Sequence, residues 1–91
     1  MTKHHIEIHY CIQCRWILRA AWMAQELLQT FESDIARVSL VPGSGGIFDI
    51  TLNDQLIYSR KQEGQFPELK VIKQRIRDVI DPTRSLGHSD N

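Results

Sequence analysis

The chain has 91 residues, enough for one domain whose small core often leans on a disulfide, a metal or a partner. Its 11 basic and 11 acidic side chains cancel, so no long-range field draws it to nucleic acid or to an anionic membrane. No stretch approaches the roughly 20 apolar residues of a membrane span, and MTKHH leads directly into an apolar alternation, so a cytoplasmic location is expected.

HIEIHY, residues 5–10, alternates Ile6, Ile8 and Tyr10 with His5, Glu7 and His9, the period of a strand with one covered face. The period then changes. From Arg15 to Phe31, Ile17, Ala20, Ala21, Ala24, Leu27, Leu28 and Phe31 recur at helical spacing, which predicts an amphipathic helix starting at or beside Cys14. DIARVSLV, residues 34–41, reads as a second strand with Ala36, Val38 and Leu40 opposite Arg37 and Ser39, and PGSGG ends it. IFDITL and LIYS flank a turn at NDQ and read as a hairpin with Phe48, Ile50, Leu52, Leu56 and Tyr58 inward. RKQEGQ reads as a polar connection.

FPELKVIKQRIRDVI gives Leu69, Ile72, Ile76, Val79 and Ile80 one stripe. Pro67 suits the first helical position, and Glu68 suits the positive end of the helix. Asp81-Pro82 stops this helix. The order is β-α-β-β-β-α, with one domain over residues 1–80 and a tail over 81–91 that has little to pack.

The second face of each strand is polar or mixed (Glu7, His9, Arg37, Ser39, Asp49, Thr51), so both helices are expected on the other face. A strand-helix-strand unit makes the first two strands parallel, and the hairpin supplies the antiparallel remainder. The expected fold is a two-layer α/β sandwich on a mixed four-stranded sheet. Ile47 and Ile57 fall on its outer face, as ordinary surface apolar residues or as a dimer or partner patch.

The chain's two cysteines, Cys11 and Cys14, stand in the turn between the first strand and helix. In a reducing compartment a CxxC pair reads as redox-active or metal-binding. A helix N-terminus at Cys14 would favour its thiolate, and the spacing lets one thiolate attack a disulfide while the other resolves the mixed disulfide. Arg15 adds positive charge beside the pair.

Zinc is the competing reading, with inert core cysteines a third. A structural zinc site wants four ligands and the pair supplies two. His5 and His9 belong to the polar sheet face, and His4 and His88 to segments that read as frayed. Trp16 either walls the sulfurs and contacts a substrate or anchors the core; Trp22 falls near the polar side of its helix, where it meets a partner or solvent. Gly43, Gly45 and Gly46 lack a phosphate-loop ending; they let the backbone turn tightly or approach the cysteine turn, where amides of the loop would meet a substrate chain.

YCIQC at 10–14, GGIFDI at 45–50 and KQEGQFPE at 61–68 occur in the order found in the SelT/SelW/SelH family, and the chain resembles its bacterial selenoprotein W-like members over about residues 5–80. The resemblance implies a thioredoxin-like fold and a thiol-dependent redox role as a thiol-disulfide oxidoreductase, with protein thiols or glutathione as partners and no tightly bound cofactor. A non-catalytic, redox-responsive interaction module is the alternative. By resemblance Cys11 matches the family's first cysteine, and Cys14 stands at the selenocysteine position, which points to Cys14 as attacker and Cys11 as resolver. Sulfur in place of selenium makes thiol exchange the expected chemistry rather than fast peroxide reduction. Arg15, Trp16, Gly45 and Gly46 are the expected substrate or partner contacts; Gly46 and Ile47 stand where thioredoxin-like proteins commonly hold a cis-proline.

Overall fold

The computed structural model describes residues 3–87. The chain runs β1 (His4–Cys11), α1 (Ile17–Thr30), β2 (Ile35–Gly43), β3 (Phe48–Leu52), β4 (Gln55–Ser59), α2 (Arg60–Glu63) and α3 (Leu69–Ile80). The sheet order is β2-β1-β3-β4: β1 and β2 are parallel, and β1/β3 and β3/β4 are antiparallel. Beyond the expected elements there is one short addition. RKQE, read as polar connection, forms the single turn α2, because the Ser59 hydroxyl accepts the Gln62 N–H and Gly64 ends the turn in a left-handed conformation.

The alternation of β1 sets the core. Ile6, Ile8 and Tyr10 are buried on one face together with Phe48, Ile50, Leu52 and Tyr58. Ala20, Met23, Ala24 and Leu27 of α1 and Ile72 and Ile76 of α3 join the same cluster, so both long helices cover that face. Ile17, Leu28 and Val79, assigned inward by periodicity, lie on the flanks of these helical arcs and are exposed.

Two irregularities in pairing reverse other assignments. Between Ile50 and Thr51 the partners step from Tyr58 to Leu56, so Ile57 is an extra residue on β4. Because side chains alternate with period two, one inserted residue exchanges the faces beyond it. Leu56 is therefore 43% exposed, and Ile57 packs against the core instead of lying on the outer face. In the same way His4 pairs with Ile35 and His5 with Arg37, which skips Ala36: Ile35 is buried and Ala36, expected inward, is exposed.

The Asn53-Asp54 turn has positive φ at both residues, 52° and 68°, the two-residue geometry whose twist matches a hairpin. Asn53 also ties down the start of β1. Its Oδ1 accepts the His5 N–H at 2.9 Å, and its amide lies 2.9 Å from His4 Nδ1, so His4 is a paired strand residue and not a frayed one. After α3, Leu86 packs against the core and Arg84 pairs with Asp34 at 2.6 Å, contacts that the composition of this segment does not suggest. His88 and the end of the expected tail lie outside the described residues.

Candidate functional site

β1 carries Cys11 into the edge of the core, where it is 1% exposed and pairs in parallel register with Gly43 of β2. The chain then reverses through residues 12–16. Arg15 N–H donates to Ile12 O at 3.0 Å, and Trp16 N–H donates to Cys11 O at 3.4 Å. Arg15 adopts φ 62°, the left-handed region that non-glycine residues seldom occupy. This reversal brings Cys14 back over Cys11. Their Cα atoms are 5.3 Å apart and the two sulfurs stand at disulfide distance.

The two sulfur sites are unequal. Cys14 is exposed while Cys11 is buried. The Cys14 N–H lies 3.3 Å from Cys11 Sγ, so the one backbone donor recorded on either sulfur among the described residues serves Cys11. The start of α1 corrects the sequence-based expectation: the helix begins at Ile17 with Trp16 as its cap, three residues after Cys14. The left-handed Arg15 interrupts helical backbone there, so Cys14 stands in the turn and not in the first helical residues.

Arg15 is exposed and, with Tyr10, Ile12, Gln13 and Ile17, lines an open depression flanking the cysteines. Trp16 turns inward. Its ring meets Phe66 edge to face at 4.7 Å and Phe48 at 6.4 Å, joining the turn to β3 and to the segment before α3. Gly45 and Gly46, with φ 69° and 77°, occupy the tip between β2 and β3 beside the side chains of Lys61 and Arg60. The glycine bonded to the cysteine turn is Gly43, whose carbonyl accepts the Ile12 N–H at 3.1 Å.

Sequence reasoning singled out none of Ile12, Phe66 and Arg60 as site residues. Ile12 is exposed beside Cys14; Phe66 and Arg60 reach Trp16 only through tertiary contact. Trp22 is exposed, as its helical phase suggests, and Leu18, one turn before it, is 79% exposed. Leu18 and Trp22 share one face of α1, while Ile12 and Ile17 are exposed in the depression beside the turn.

The described histidines, His4, His5 and His9, have local partners. His9 Nε2 lies 3.1 Å from Glu7 Oε1, and His5 Nε2 lies 3.3 Å from Arg37. Among the described residues no three His, Cys, Asp or Glu side chains are grouped to hold a metal ion, and no helix is long and apolar enough to cross a membrane.

With this geometry in view, two solved structures compare closely. A selenoprotein W-related protein from Vibrio cholerae is 57% identical, with a TM-score of 0.85 over 88% of this chain and all of that one. A protein from Bordetella parapertussis is 54% identical, with a TM-score of 0.84 over 87% of this chain and all of that one. No functionally curated protein matches. The sequence also matches the Rdx family over residues 5–78, a span that contains the cysteine turn, the glycine loop and most of α3. On this sequence match and these structural likenesses, the chain belongs to the Rdx family.

Proposed function

We propose that Cys11 and Cys14 form a reversible dithiol that exchanges electrons with protein thiols, making the chain a thiol-disulfide oxidoreductase. The observation that carries this reading is the inequality of the sulfurs: one faces solvent, and the other is buried beneath an amide donor. In the oxidising direction the Cys14 thiolate attacks one sulfur of a partner disulfide. A Cys14–partner disulfide forms, the partner's own S–S bond breaks, and its other sulfur leaves as a thiolate that takes up a proton.

Cys11, as thiolate, then attacks the Cys14 sulfur, forming the intramolecular disulfide and releasing the second partner thiol. Two electrons and two protons pass from the pair to the partner. In reverse, a partner thiolate attacks the exposed Cys14 sulfur and Cys11 leaves as a thiolate, for which the Cys14 N–H is already in place.

The exposed Ile12 and Ile17, in the depression that flanks the cysteines, favour a polypeptide partner over a small hydrophilic thiol such as glutathione. The same apolar surface supports a second reading, a redox-responsive interaction module without turnover. A cytoplasmic location accords with a dithiol kept reduced between cycles.

Equilibration in graded thiol/disulfide buffers followed by intact mass measurement tests the first reading. A reversible loss of two hydrogens, mapped to Cys11 and Cys14, is expected; its absence at every poise would sink the dithiol mechanism. Oxidation with no acceleration of exchange between any thiol and disulfide pair would favour the module.

A further inference from the structure

Arg60 is the first residue of α2, directed by the turn that Ser59 caps. From there its guanidinium reaches segments far apart in sequence. It lies 4.8 Å from the Trp16 ring centroid and 5.0 Å from that of Phe66, and it donates to Gly46 O at 3.4 Å. Its Nε is buried with no hydrogen-bond partner among the described residues. The aromatic faces therefore supply much of what compensates its desolvation.

We propose that Arg60 is a positioning residue for the cysteine turn, acting through Trp16. Trp16 is the joint between site and scaffold. Its N–H is bonded to Cys11 O, its carbonyl accepts the Ala20 N–H at 3.0 Å, and its ring lies within reach of the Arg60 guanidinium. Holding that ring fixes the far end of the reversal that returns Cys14 over Cys11. Phe66 completes the arrangement by meeting both the Trp16 ring and the Arg60 guanidinium, with Arg19 4.1 Å from its own ring centroid.

This proposal rests on the exchange reading above and concerns how strongly the pair closes. The stability of an intramolecular disulfide against a partner thiol follows the effective concentration of one sulfur at the other. A loosened turn lowers that concentration, so loss of Arg60 weakens the Cys11–Cys14 bond without touching either sulfur.

The test compares the wild type with Arg60→Met and Arg60→Lys, each full length, in glutathione buffers of graded poise. Arg60→Met should lower the equilibrium constant for closing the disulfide about fivefold to tenfold. Arg60→Lys should lower it less, because lysine keeps the charge but not the planar contact with the rings. Amide hydrogen exchange over residues 12–16 of the reduced protein should rise in the same order.

Destabilisation common to both redox forms shifts the unfolding midpoint and leaves this constant unchanged, so a purely structural role is distinguished. If Arg60→Met does not fold, Arg60→Lys against the wild type decides. A wild type that oxidises, with folded variants within about twofold of its constant, overturns the positioning role alone. A wild type that never closes the disulfide overturns the exchange reading and this proposal with it.

Discussion

The backbone N–H of Cys14 points at the sulfur of Cys11 from 3.3 Å, while the Cys14 side chain faces solvent. Anion stabilisation and access are thus divided between the two residues. In the reduced protein Cys14 should be alkylated about tenfold faster or more than Cys11, since access limits the reaction of a buried thiol. Brief labelling with iodoacetamide, read by peptide mass, checks this; faster labelling of Cys11 would contradict the division.

Gly43 is where the strand beside the pair meets its glycine loop. A Cβ there would stand 2.9 Å from Ile47 Cγ2, closer than packed carbons tolerate. Gly43→Ala should destabilise the fold by roughly 1–3 kcal/mol, the usual range for forced overpacking. Pairing Gly43→Ala with Ile47→Ala should recover much of that loss in denaturant titration. An alanine that costs nothing would show the contact to be readily relieved.

The bulge in β4 makes opposite demands on adjacent residues. Leu56→Ser should change stability by less than about 0.5 kcal/mol, the common result at an exposed site. Ile57→Ala should cost about 1–2 kcal/mol through lost burial against the core. Denaturant midpoints measure both, and the reverse ranking would place the extra residue elsewhere in the hairpin.

The hydrogen bond from Arg84 is the chief cause holding the Asp34 carboxyl below its ordinary value of 3.8. A carboxyl depressed in the folded state contributes stability that is present above its unfolded pKa and lost as pH falls through the folded one. The pair is partly exposed, so Arg84→Met should cost less than about 1 kcal/mol at neutral pH. The gap between variant and wild type should narrow on acidification below roughly pH 4. Denaturant titration at several pH values reads this; a gap that widens on acidification would reverse the assigned sign.

Much of the fold is legible in the sequence because it follows local period. Ile6, Ile8 and Tyr10 give β1 its covered face, and Ile72 and Ile76 mark the buried side of α3. What pattern reading misses are single-residue events. The extra residues at Ala36 and Ile57 leave the composition of their strands unchanged, yet each reverses an inward assignment.

The cysteine pair is equally plain from its spacing, whereas the start of α1 is not. The left-handed backbone at Arg15 occurs without a glycine to announce it. The support of the site is also hidden, since Trp16, Phe48, Arg60 and Phe66 come from four segments that meet only in the folded chain.

The most direct test of the central claim is a trapping experiment with the two single-cysteine variants. Cys11→Ser keeps the exposed Cys14 and removes the resolving sulfur, so it should accumulate a mixed disulfide with an unfolded, disulfide-bonded protein substrate. Cys14→Ser keeps only the buried sulfur and should accumulate little. Non-reducing electrophoresis with mass identification of the joined peptides gives the answer. An adduct at Cys14 supports exchange through the exposed sulfur; accumulation in Cys14→Ser alone would contradict it and make Cys11 the attacker.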